Sequence, residues 1–376
     1  MALTLNDDQK SLALTVRRFV AERTPIAGVR AVMESGRGYD REVWSALAGD
    51  LGLAGLIIPA RYGGGEGSVA DLAVALGELG AGLVPSPLLA SGVLAADLLL
   101  ATDDEAAKRE WLPKLADGSL VGTVAASEPL KTGEYGSRGW LPVAPSTRTD
   151  AARGTLTGVK TAVINGAEAD LLLVPATEPT EDGIGIYLVQ RDAAGLSVSG
   201  EPVLDQARPV ATVRFDATPA VRLAGDADEA QERIADLANV ALAAEQLGAM
   251  AACVVMTSEY AKVRYTFGQP IGAYQGVKHK LADAYADWAL ADAALRAATE
   301  AAGDPTRDFR AAAGAARVLA SPAYVRAARD AMLLHGGIGY TWEHDAHLYY
   351  KNALAGQVLL GTTDQHLERL AERLAI

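Results

Sequence analysis

Four groups of residues in the C-terminal part of the chain have types suited to chemistry. Arg264, opening Arg264-Tyr265-Thr266-Phe267-Gly268-Gln269-Pro270-Ile271, offers a planar cation that can grip a pyrophosphate with two parallel hydrogen bonds. In His335-Gly336-Gly337-Ile338-Gly339, the glycine pair lets backbone N–H groups reach a ligand with no side chain in the way. In Leu360-Gly361-Thr362-Thr363 a hydroxyl stands beside another glycine. Together these are the parts a dinucleotide needs. The fourth group is a single carboxylate. Glu245 is the sole charge in the apolar run from Ala238 to Met256. Burial there would raise its pKa toward the range of a general base. The same residue could equally pair with an arginine across a bundle or sit at a helix edge in water. Arg264 could likewise serve a surface ion pair, and the glycine pair a tight turn between helices.

The elements that hold these groups follow from periodicity. From about 228 the pattern is helical, with long segments at about 228–264, 276–302 and 306–334 and shorter ones near 341–354 and 364–374. Three or four long antiparallel helices predict a bundle. Residues 1–119 also read as helices, near 41–52, 69–83, 87–102 and 104–117, after a first helix capped by Asn6. Between them the period shortens. Val121–Ala126, Gly154–Lys160, Asp170–Val174, Ile184–Val189 and Ala211–Phe215 read as short strands of a small barrel or sandwich. The fold class expected is α+β multidomain: helices over 1–119, a β domain over 120–227 and a helical bundle over 228–376. The glycine run Gly63-Gly64-Gly65 has no following Lys-Ser/Thr pair and reads as a plain turn.

Composition narrows the function. Half of the 376 residues are apolar and 22% are charged, as in a globular chain. A net charge of −13 argues against nonspecific nucleic-acid binding. The lone cysteine, Cys253, allows no internal disulfide and reads as a buried hydrophobe. The opening Met1-Ala2-Leu3-Thr4-Leu5-Asn6 lacks a basic region followed by an apolar segment, so no signal peptide is expected and a soluble, cytoplasmic protein is. His344 and His347 share a helix face with no evident third ligand, so no metal site is expected.

The order and spacing of the three glycine-bearing clusters resemble the C-terminal domain of the acyl-CoA dehydrogenase family, and the helix–β–helix order resembles that family over essentially the full length. The resemblance implies FAD bound noncovalently and shared between subunits. It also implies an acyl-CoA substrate, whose α-proton goes to a carboxylate while the β-hydrogen leaves as hydride to flavin N5, and an electron-transfer flavoprotein as acceptor. It assigns Arg264 to the flavin pyrophosphate, Phe267 to packing and Gln275 to the adenine end. Gly336 and Gly337 would receive the FAD of a neighbouring subunit, with Thr362 beside the cofactor. Ser127, in Ser127-Glu128-Pro129, resembles the family's hydroxyl residue that meets the flavin ring. The backbone at Leu360 and Gly361 would hold the thioester carbonyl.

Several positions depart from the family pattern. The usual base position is Leu360, and the alternative one on the long helix matches Ala238. Glu245, two turns further along the same helix face, is then the expected base. It stands in an Ala-Glu-Gln-Leu-Gly segment resembling actinobacterial members that act on steroid side chains or other bulky acyl groups. Asn239 stands where many members carry a substrate-side arginine, and Leu333 where many carry a flavin-binding glutamine. Ala162-Val163-Ile164 replaces the family's flavin-packing Trp-Ile-Thr, and Leu130–Gly136 replaces a glycine-rich continuation. Small residues at Ala241, Ala244 and Gly248 suggest a wide pocket. Three readings follow: a desaturating flavoenzyme, as a homotetramer or an α2β2 assembly; a non-catalytic partner subunit of a heteromeric enzyme; and a flavin monooxygenase on the same scaffold. None calls for nucleic acid or a membrane.

Overall fold

The computed structural model describes residues 5–128, 148–150, 154–178 and 183–375. The N-terminal layer is helical. Helix α1 (Asp7–Arg23) starts at a capping box between Asn6 and Gln9. It is followed by α2 (Ile26–Ser35), α3 (Arg41–Ser45) and α4 (Val69–Ala81), the last opened by a Ser68/Asp71 box. Helices α5 (Ala96–Ala101) and α6 (Glu105–Ala116) complete the layer. The helix expected over 87–102 is a π-helical stretch, Leu89–Ala95, running into α5. There Gly92 lies so close to Ala54 that a Cβ would meet the Ala54 carbonyl at 2.9 Å. The glycine run at 63–65 is a turn whose own N–H groups are spent on Pro59, Gly55 and Ala60 carbonyls.

Among the described residues, eight strands form the middle region: β1 (Gly122–Val124), β2 (Arg148–Asp150), β3 (Thr155–Ile164), β4 (Leu171–Thr177), β5 (Ile184–Gln190), β6 (Leu196–Gly200), β7 (Val210–Pro219) and β8 (Val221–Arg222). Their hydrogen-bonded order is β6-β7-β3-β2-β4-β5-β8, with β1 parallel to β4. Leu172, Val174, Val189, Val213 and Phe215 fill this region's own core. The β3–β7 register shifts between Lys160 and Val163, and Ala162 takes a positive φ of 50° inside that bulge.

The C-terminal bundle is built on α7 (Ala227–Val263), a 37-residue helix capped by Asp226. A hairpin of β9 (Tyr265–Thr266) and β10 (Gln269–Pro270) leads into α8 (Gln275–Ala302) and α9 (Phe309–His335), then α10 (Ala346–Val358) and α11 (Thr363–Leu374). Helix α7 is long and apolar enough to cross a membrane. However, 61% of its most apolar window is buried against α4, α8 and α9, so it is the core helix of the bundle.

The small residues of α7 close space instead of opening it. A Cβ on Gly248 would meet the Gly77 carbonyl at 1.8 Å, and one on Gly80 would meet the Glu245 carbonyl at 2.2 Å. Helices α4 and α7 thus touch backbone to backbone, with Ala241 and Ala244 fully buried beside them. The wide pocket expected there is absent among the described residues, because glycine at the crossing lets the helices approach until no acyl-sized gap remains.

Candidate functional site

One end of the bundle gathers five of the candidate residues. Arg264 follows the last turn of α7, and its carbonyl accepts from Ile271 N, which folds the hairpin back on the helix end. Phe267, at the hairpin tip, has a positive φ and is 94% exposed, and Gln275 opens α8 with its side chain in solvent. Tyr260, one turn before Arg264, packs at a tilt against the His335 ring at 4.3 Å and donates to the His335 carbonyl, which ties the end of α7 to the Gly336–Gly337 turn. Gly336 has φ 67°, and a Cβ on either glycine would meet nothing. Arg264, Phe267, Gln275 and the glycine pair therefore share one open face that carries exposed Tyr265, Tyr340 and Trp342.

The Leu360–Thr362 loop lies elsewhere. It is anchored through Arg317, which is 18 residues before His335 on α9, or about 27 Å along the helix axis. One chain thus holds the expected cofactor residues in two separate places. Within the loop Leu360 has φ 60°, a conformation that costs a side-chain-bearing residue about 1 kcal/mol. Leu360 is buried at 7% exposure. Thr362 caps α11: its hydroxyl oxygen accepts from Gln365 N, and Gln365 Oε1 accepts from Thr362 N. The hydroxyl keeps its proton to donate. Gly361 is required because a Cβ would meet His366 Nε2 at 2.9 Å.

Glu245 is ion-paired. Arg208, from the loop between β6 and β7, donates to its carboxylate at 2.6 Å, and Glu245 retains 15% side-chain exposure. The pair borders a cavity of about 30 Å³ lined by Leu79, Leu83, Val84, Ser86 and Asn352. That space suits a water molecule, not an acyl chain. Asn352 donates to Asp205, whose pKa burial raises while Arg208 opposes the rise.

A second carboxylate was not singled out by sequence. Asp236 lies on α7 two residues before Ala238, and burial pushes its pKa up to about 6 against the pull of Arg310. It lines a groove of about 410 Å³ with Asn239, His366, Arg310, Arg369 and Glu232. His366 hydrogen-bonds the Leu360 backbone, and burial lowers its pKa to about 3, so it is neutral. Arg310 bridges both Glu232 and Asp236, which fills the groove with internal ion pairs. Glu232, Asp236 and Asn239 recur at helical spacing across the start of the apolar run, and that spacing was the available signal.

In the β region Ser127 is buried, and its carbonyl accepts from Thr161 N. Lys160 lies fully buried beneath it and donates to Glu128 at 2.6 Å; burial lowers its pKa to about 8 and Glu128 opposes this. The pair fastens the start of the Ser127-Glu128 loop to β3. Ile164 is in the core, and its carbonyl accepts from the Thr123 hydroxyl. The continuation Leu130–Gly136 lies outside the described residues. His344 packs at a tilt against His335, ring centres 4.2 Å apart, and His347 meets Trp342 edge-on. Among the described residues no three metal-ligating side chains come together.

These features fit half of an FAD site on each of two faces: an exposed cation and open backbone on one, a backbone loop and hydroxyl on the other. Comparison with known proteins gives the family of the chain. The N-terminal domain of acyl-CoA dehydrogenases matches residues 6–119, and the C-terminal domain of the same family matches residues 229–375. An acyl-CoA dehydrogenase of Mycobacterium tuberculosis, IpdE2, is 35% identical over 98% of both chains. Among solved structures, the Tcur3481-Tcur3483 steroid acyl-CoA dehydrogenase variant aligns at TM-score 0.87 and 30% identity over 98% of both chains. The ChsE4-ChsE5 complex of M. tuberculosis aligns at TM-score 0.87 and 28% identity over 100% of this chain and 99% of that one. The chain belongs to the acyl-CoA dehydrogenase family of FAD-dependent oxidoreductases.

Proposed function

We propose that this chain is the cofactor-completing subunit of a heteromeric, FAD-dependent acyl-CoA dehydrogenase, with the α-proton base carried by a related companion chain. One observation carries the reading. The position that holds the base in most of the family is Leu360, buried and aliphatic, while Ala238 leaves the alternative position empty. Bound FAD supplies the hydride acceptor. This chain's part is to present Arg264, Phe267, Gln275, Gly336 and Gly337 to it from the bundle end, and Ser127 and Thr362 from the other faces. Leu360 and Gly361 then act through backbone only. Two solved relatives, Tcur3481-Tcur3483 and the ChsE4-ChsE5 complex, are named as pairs, which supports an α2β2 assembly. The first of these is a steroid acyl-CoA dehydrogenase, which supports a bulky, steroid-like acyl-CoA as substrate; an electron-transfer flavoprotein as acceptor and a cytoplasmic setting complete the proposal.

A second reading keeps Glu245 as the base of this chain, favoured by its carboxylate facing a cavity. Its bond to Arg208 and the size of that cavity weigh against this. Purification separates the two. A colourless chain that gains flavin and desaturase activity only when co-produced with a companion supports the partner reading. A yellow chain active alone overturns it. In the assembled enzyme, Glu245→Gln should leave desaturation within a few-fold of the parent; loss by orders of magnitude with flavin still bound would restore Glu245 as base.

A further inference from the structure

Arg317 is 1% exposed, in the middle of α9, and among the described residues no carboxylate bonds it. A buried guanidinium needs its charge and donors matched. Here the partners are two backbone carbonyls and two neutral side chains. Nη2 donates to the Gly356 carbonyl at 2.6 Å and to the Leu359 carbonyl at 2.9 Å, the unsatisfied groups at the C-terminal end of α10. A cation there also complements the helix dipole. Nη1 donates to Gln246 Oε1 at 2.9 Å and to Ser321, which fixes the fork against α7 and its own helix. The next residues are Leu360 and Gly361, both at positive φ. His366 bonds the Leu360 backbone and packs on Gly361, and Gln365 holds the Thr362 N–H.

We propose that Arg317 is a positioning residue: by clamping the last carbonyls of α10 it sets the left-handed turn that presents the Leu360 N–H and the Thr362 hydroxyl to the flavin and acyl-CoA site. The role of that loop rests on the proposed function. The clamp itself does not. A lysine would keep the charge but lose the two-pronged fork.

The test compares parent and Arg317→Lys chains in the assembled, flavin-loaded complex. Amide hydrogen exchange over 359–362 should speed up about tenfold or more, with the amides of α8 unchanged. The visible flavin bands should shift, or the flavin should dissociate about tenfold faster. Arg317→Met should exaggerate both effects, with Arg317→Lys as its partial rescue. Unchanged exchange over 359–362 would overturn the clamp. Faster exchange with an unaltered flavin spectrum and off-rate would reduce Arg317 to a structural residue and overturn the positioning role. Because exchange is also measurable without flavin, a parent complex that binds none would defeat the proposed function and leave the clamp still under test.

Discussion

Arg208 Nη2 lies 2.6 Å from Glu245 Oε2, and this bond joins the β region to the middle of α7. The two residues come from different layers, yet each is mostly buried and each answers the other's charge. Breaking a buried pair from one side leaves an uncompensated ion. Among the described residues, Arg208 keeps Asp205 as its nearby opposite charge. Glu245→Gln should therefore destabilise the isolated chain by about 2 kcal/mol in denaturant unfolding. The double change with Arg208→Gln should cost less than the sum of the singles by about 1 kcal/mol or more. Strict additivity would show that the pair does not couple.

The crossing of α4 and α7 gives a second expectation. Gly248→Ala puts a methyl where the Gly77 carbonyl stands, 1.8 Å from the Cβ position, and backbone cannot swing aside as a side-chain tip can. The helices must separate along their shared length. Thermal unfolding of the variant should show a loss of about 3 kcal/mol or more, whereas Gly276→Ala, with open space around the Cβ position, should be near neutral. Near-equal stabilities would mean that the two helices are not in backbone contact.

These two features also mark what sequence could reveal. The helix–strand–helix order was legible because the period of apolar residues changes near 120 and again near 228. So was the lone charge of α7. Its partner was not, because Arg208 is 37 residues away in a strand-to-strand loop and nothing local tells which arginine will cross the layers. The glycines and alanines of α7 were misread because a small side chain is compatible with either an open slot or a tight crossing. Only the glycines at 77 and 80 on the facing helix decide between them. Arg264 and the Gly336–Gly337 turn were readable as types, but their meeting depends on Tyr260 against His335, a pairing between helix ends 75 residues apart.

Asp236 supplies a pH dependence. Burial raises its folded pKa from 3.8 to about 6. Folding therefore favours the protonated form. The associated stability is fully present below pH 3.8, is lost as pH rises toward 6, and is absent above it. The loss is about 3 kcal/mol across that window. Asp236→Asn stays neutral throughout. Relative to the parent, its stability should improve steadily from pH 4 to pH 6 and stay level above. Subtracting the two profiles removes the titration of every other carboxylate. A flat difference curve would place Asp236 in water, outside the groove with Arg310.

The open end of the bundle should report on flavin and assembly without altering the fold of the chain. Arg264 is exposed and Phe267 nearly fully so, and neither contributes to a core. Arg264→Gln should leave the melting temperature of the isolated chain unchanged. In the assembled enzyme it should weaken FAD retention by about 10- to 100-fold, the value of one charged hydrogen bond. Phe267→Asp should act differently, because it puts a charge into a surface meant to be desolvated. Size-exclusion chromatography of the co-produced chains should then show separate subunits and no yellow complex. If both variants assembled and held flavin as the parent does, the Arg264–Gly337 face would not be the junction between protomers, and the two groups of candidate cofactor residues, tied to α9 at Arg317 and His335 about 27 Å apart, would need another explanation.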